Sequence, residues 1–147
     1  MAVSDQQVAT LRAFLEGDKP KYNDLLADLD RQTDGLGYSA LVTAAFFEAV
    51  DRQFSTQSPR ADAVDYVAAV RSRSSNAAED VDPRIAERLI REVLGDGSTD
   101  DVDGRTSTST KLYLLTALTV DAGLDPEGLD QFLGKVTKMA DHMLGRL

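Results

Sequence analysis

The stretch VDAGLDPEGL, residues 120–129, decides how this chain is read. Before it lies a run without charge, Leu112 to Val120. After it, apolar residues fall at Leu129, Phe132, Leu133, Val136, Met139, Ala140, Met143 and Leu144. The first run is the pattern of a helix enclosed by protein. The second repeats at i, i+3, i+4 and i+7, the pattern of a helix with one face in a core. Between them, Gly123 suits the left-handed backbone past a helix C-terminus. Asp125 is a cap residue, and Pro126 fits the first position of the next helix. Glu127, near that N-terminus, complements the helix dipole. Capping alone accounts for every residue, so the stretch reads as the joint between two packed helices.

Two other readings compete. As a DNA-binding helix-turn-helix, Ala122 and Gly123 would form the turn and Leu129 would pack back. The reading helix would then open with Asp125, Glu127 and Asp130 against phosphates and base edges that mainly demand Arg, Lys, Asn or Gln. Lys135 and Lys138 lie too far along to reverse this. The third reading is a resemblance. Leu112 to Leu144, with VDAGLDPEGLDQFL between its helices, resembles part of the tellurite-resistance TerB-like helical domains. That resemblance implies an all-α fold, metal binding and a place in stress-response complexes. It would make Asp121, Asp125 and Glu127 the candidate ligands of a divalent metal; apart from what the resemblance implies, no cofactor is expected. Here Ala122 separates Asp121 from Gly123, and Gly128 stands where the family has an acidic residue.

The rest of the chain carries the same helical punctuation. Ser4 and Gln7 form a capping box ahead of Val8, Leu11, Phe14 and Leu15. Pro20 opens a second helix with Tyr22, Leu25, Leu26 and Leu29, and TDGLG, 33–37, reads as its end. A third helix is expected over about Tyr38 to Phe54. Its apolar residues point nearly all round, leaving a narrow stripe of Glu48, Asp51 and Arg52. Ser58–Pro59 and Asp82–Pro83 start a fourth helix, to about Arg73, and a fifth, to Leu94. Gly95 to about Thr106 reads as a flexible loop, followed by a sixth helix over about Ser107 to Ala122 and a seventh from Asp125–Pro126. The expectation is a single compact all-α domain of about seven helices, with those over about 38–54 and 107–122 central and amphipathic helices around them.

Composition narrows the function. A chain of 147 residues can bury a core unaided, and it has no cysteine, which removes disulfides, thiolate metal sites and a Cys nucleophile. No signal peptide pattern and no span-length apolar run are visible, so a cytoplasmic protein off the membrane is expected. The net charge is −9. Residues 1–54 and 96–147 each carry 5 basic and 9 acidic side chains, and residues 55–95 carry 6 and 7, so no segment is net basic. Such a field opposes nucleic acid, whose binding begins with neutralised phosphates.

Arg84, Arg88 and Arg91 fall at i, i+4 and i+7, opposite the apolar arc of Ile85, Leu89, Ile90 and Val93. With Arg71 and Arg73 they form the most concentrated positive patch, suited to an acidic partner or an anion. The plainer alternative is a solvated face laced by Glu87–Arg91 and Arg88–Glu92 pairs. The acidic run GDGSTDDVDG, 95–104, fails the EF-hand pattern: counted from Asp96, positions six and twelve hold Asp101 and Ser107 instead of Gly and Glu. His142 is the sole histidine and falls on the polar side of the last helix. No catalytic or phosphate-loop motif is present. The sequence therefore points to a non-enzymatic helical interaction or accessory module with a protein partner, compatible with a homodimer. A TerB-like metal- or small-ligand-binding domain is the alternative.

Overall fold

The computed structural model describes residues 3–32, 35–54, 59–73 and 79–145. Among them are seven helices and no strand: α1 (Asp5–Leu15), α2 (Lys19–Gln32), α3 (Gly35–Gln53), α4 (Pro59–Arg71), α5 (Pro83–Val93), α6 (Gly104–Asp121) and α7 (Pro126–Leu144). The all-α expectation holds. None of the described helices is long and apolar enough to cross a membrane. The residues cluster into two compact units, one of residues 1–45 and 123–147, the other of residues 46–122. α3 gives its beginning to the first and its end to the second.

In the first unit, α1 packs against α2 and α7. Ser4 and Gln7 form the expected capping box: the Ser4 N–H donates to Gln7 Oε1 at 2.8 Å, and the Gln7 N–H donates to Ser4 Oγ at 3.2 Å. Leu11 and Ala13 face inward, and the Phe14 ring meets Tyr22 of α2 at 5.0 Å. On α7 the buried set is Leu129, Phe132, Leu133, Val136, Ala140 and Leu144, with Met139 and Met143 half-buried at its flanks. Two polar clasps join the far ends of the sequence. Arg12 pairs with Asp130, and the Val3 N–H donates to Asp141 Oδ1 at 2.7 Å.

In the second unit, α5 packs against α4 and α6. Ala63, Val67 and Val70 of α4, Ala86, Leu89 and Ile90 of α5, and Leu114, Leu115 and Leu118 of α6 are buried. Asp82 caps α5 as its sequence suggests, Oδ1 accepting from the N–H groups of Arg84 at 2.9 Å and Ile85 at 3.2 Å. The Phe54 ring meets Tyr66 of α4 edge-on at 5.2 Å.

Four expectations need correcting. TDGLG does not simply end α2, because α3 already begins at Gly35. Gly37 serves close approach rather than a break: a Cβ there would lie 2.5 Å from Nε2 of the fully buried Gln7. Thr33, Asp34 and the expected cap Ser58 lie outside the described residues. Secondly, α6 starts at Gly104 rather than Ser107, since Asp103 caps it, Oδ2 accepting from the Thr106 N–H at 3.0 Å. Thirdly, α4 ends at Arg71 rather than Arg73.

The fourth correction concerns which sides of α3 and α6 are open. Glu48, expected in the exposed stripe, is only 3% exposed and sits 3.4 Å from Arg52 Nε one turn on, while Phe47 is 45% exposed. A nearly all-apolar wheel leaves the choice of open side to the neighbours rather than to the helix itself. α6 likewise is not enclosed all round. Thr116 is exposed and Val120 is 67% exposed.

Candidate functional site

The five arginines singled out in sequence do not form one free patch. Arg73, just past α4, reaches the end of α6, where its Nη2 lies 2.7 Å and 3.0 Å from the two oxygens of Asp121. The Tyr66 hydroxyl donates to the same carboxylate at 2.8 Å. The guanidinium, against desolvation and with help from Tyr66, holds the Asp121 carboxyl below the usual carboxylate range. Burial, then the neighbouring carboxylate, pushes the Tyr66 phenol up.

On α5, Arg88 and Arg91 turn to the connection that follows their own helix. Arg88 grips Asp101 with both terminal nitrogens and donates to the Ser98 carbonyl at 2.8 Å. Arg91 Nε lies 3.0 Å from Asp96 Oδ2. Glu92 accepts from the Thr99 N–H at 2.6 Å and from its hydroxyl at 2.8 Å. These pairs replace the Glu87–Arg91 and Arg88–Glu92 contacts suggested by helical spacing. The reason is geometric: residues 95–103 fold back onto α5, a contact that local spacing does not see. Gly95 and Gly97 permit the return with φ of 83° and 112°. Arg88 holds the Asp101 carboxyl below its ordinary range. Arg84 remains exposed, and Arg71 is half-buried.

The three carboxylates named as metal ligands have separate duties. Asp121 is bound to Arg73 and Tyr66. Asp125 caps α7, its Oδ1 accepting from the Gly128 N–H at 2.7 Å. Glu127 stands exposed in the first turn of the same helix. Gly123 has the left-handed φ of 64° that the joint reading requires. Among the described residues, no three Asp, Glu or His side chains gather as a metal site. His142 is exposed on α7.

No family model, curated protein or solved structure matches the chain.

What the sequence reading missed is the outer face of α6. Leu112, Thr116 and Val120 follow one another at four-residue spacing, a continuous ridge on a helix. Leu112 is half-buried and the other two are exposed, and the nine residues 112–120 include no charge. The Thr116 hydroxyl donates back to the Leu112 carbonyl at 3.1 Å. Sequence alone carries no signal for this face; burial does. Leu114, Leu115 and Leu118 mark one side of the wheel as buried, which puts 112, 116 and 120 on the other.

Proposed function

We propose that this chain is a non-enzymatic helical protein-interaction module, accessory or regulatory in character, working in the cytoplasm and docking its partner on the open face of α6. The observation that carries this reading is the Leu112–Thr116–Val120 ridge. An acidic chain that leaves nine residues uncharged, and two-thirds of Val120 in solvent, has a surface whose covering by a partner is favourable. Desolvation there is cheap, because the Thr116 hydroxyl already has its acceptor on its own helix. Exposed Phe47, on α3 of the same unit, is a further apolar contact point of the size that anchors interfaces.

The arginines enter this reading chiefly as scaffold. Arg73, Arg88 and Arg91 hold the ends of α6 and the segment leading into it. The test is capture from a lysate of the source cell by immobilised wild type and by Thr116→Asp with Val120→Asp. Both sites are exposed, so the variant should keep the wild-type circular dichroism and melting temperature. A protein retained by the wild type and lost by the variant supports the reading. Equal retention by both removes the face from consideration. The TerB-like alternative predicts instead a rise in melting temperature with Ca²⁺, Mg²⁺ or Zn²⁺.

A further inference from the structure

We infer that residues 95–103 are a charge-held strap whose release frees the arginines of α5 and uncaps α6 together, with ionic strength setting how often it opens. The strap belongs to the same unit as the open face of α6, and its opening does not depend on what docks there.

What holds the segment down is polar. GDGSTDDVD, 95–103, has a single apolar side chain, Val102, and none of its residues is buried. Packing therefore contributes little to its place, and side chains of α5 supply the ties. Arg88 donates to Asp101 Oδ2 at 3.1 Å and to the Ser98 carbonyl at 2.8 Å. Arg91 Nε lies 3.0 Å from Asp96, and Glu92 accepts from the N–H and the hydroxyl of Thr99. Both arginine–aspartate pairs are open to water, the Asp101 side chain being 71% exposed and that of Asp96 40%. Solvated pairs of this kind are weak and are screened by salt.

The ends are built to turn. Gly95 and Gly97 take positive φ at the start, and Gly104 opens α6 at the finish. A Cβ at any of the three would meet nothing within 4 Å, so no packed neighbour obstructs a change of backbone angle there. Two sets of groups move with the strap. Asp103, next to Val102, is the cap of α6, its Oδ2 accepting from the Thr106 N–H. Arg88 and Arg91 lose their carboxylates, and with exposed Arg84 they then present three guanidinium groups at i, i+4 and i+7. The closed strap is an autoinhibitory cover for that stripe, made from the chain's own aspartates. Buried Ala86, Leu89 and Ile90 keep α5 in place whichever state the strap adopts, so opening is local.

Hydrogen exchange of single amides, read by NMR, tests this. Between about 0.01 M and 1 M NaCl the Debye length falls from about 30 Å to 3 Å. Over that range exchange at Thr99 and Thr106 should accelerate together, by at least about threefold relative to Gly128. Gly128 is the reference because its acceptor, Asp125, lies within its own joint. Arg88→Asp should give the faster exchange already at low salt, and Arg88→Asp with Asp101→Arg should slow it again. Exchange at Thr99 indifferent to salt overturns the inference, as does a double swap no slower than Arg88→Asp alone. Acceleration at Thr99 with Thr106 unmoved also overturns it, since strap and cap would then be separate. If Arg88→Asp lowers the circular dichroism signal, Asp101→Asn on the exposed strap takes its place. It should flatten the salt dependence at Thr99, and a dependence as steep as that of wild type counts against the strap.

Discussion

The two connections that flank α6 are built in different ways. Before the helix, residues 95–103 are held mainly by side chains of α5: Arg91 reaches back from 5 residues away, Glu92 from 7, and Arg88 from 10 and 13. After it, residues 122–125 hold themselves. Gly123 takes the left-handed turn, and Asp125 caps α7 three residues on. A connection fastened by another element can be released by a change far outside it. One fastened by its own residues answers only to changes within it. Arg88 and Arg91 of α5 make a poor free patch for the same reason: they are the fastening.

The harshest way to test the arrangement is to remove the helix that both connections serve. Leu118 is 2% exposed on α6, and Leu118→Asp places an unpaired charge there at a cost of several kcal/mol. The variant should fail to give a cooperative thermal transition by circular dichroism. A soluble protein melting near wild type would show that α6 does not anchor its unit. Next in size are changes inside the second connection. Gly123→Ala forces a side chain into the left-handed region for about 1 kcal/mol, and Asp125→Ala removes a cap worth about 1 kcal/mol. Each should lower the melting temperature by about 2–4 °C. No shift in either would mean that the joint is fastened from elsewhere after all.

Arg88→Ala, at a distance from the loop, should sharpen the contrast. Hydrogen exchange should accelerate at Thr99 and its neighbours while the melting temperature scarcely moves. Unchanged exchange in 98–102 would show that the loop holds itself. The smallest effect is that of acid. Asp121 and Asp101 have carboxyls held below the ordinary range by Arg73 and Arg88, so their contribution is complete at neutral pH. It is lost as pH falls below the usual carboxylate range and through the folded values. The Arg73–Asp121 pair is well solvated, and its share is at most about 1 kcal/mol. Asp121→Asn should therefore show a slightly shallower loss of melting temperature on acidification than wild type. Identical slopes would remove the pair from the account.

Legibility in sequence follows the same division. Caps act over two or three residues, so Ser4, Asp82 and Asp125 announced α1, α5 and α7 directly. The one-sided pattern of α7 named its buried residues because a polar face fixes the orientation. Asp103, three residues before Thr106, offered the same signal for α6, but the glycines and acids around it read as loop. The failures are non-local. Glu48 is buried and Phe47 open because of what packs on α3. Gly37 is small because Gln7, thirty residues earlier, presses on it. The open ridge of α6 is where an uncharged run hides its meaning: lack of charge suggests enclosure, and only the neighbours show which side is left uncovered.

The division of the chain into units also orders its birth. Residues 46–122 are continuous, so on the ribosome that unit is complete before α7 exists. The other unit is made from the two ends of the chain, and its clasps join residues 118 and 138 positions apart. α1 and α2 emerge before the continuous unit and close only after it. At roughly 5–20 residues per second, Leu11, Ala13 and Leu29 wait on the order of ten seconds for Asp130 and Asp141. The interval in which α1 and α2 most need protection from neighbours thus spans the synthesis of the whole second unit.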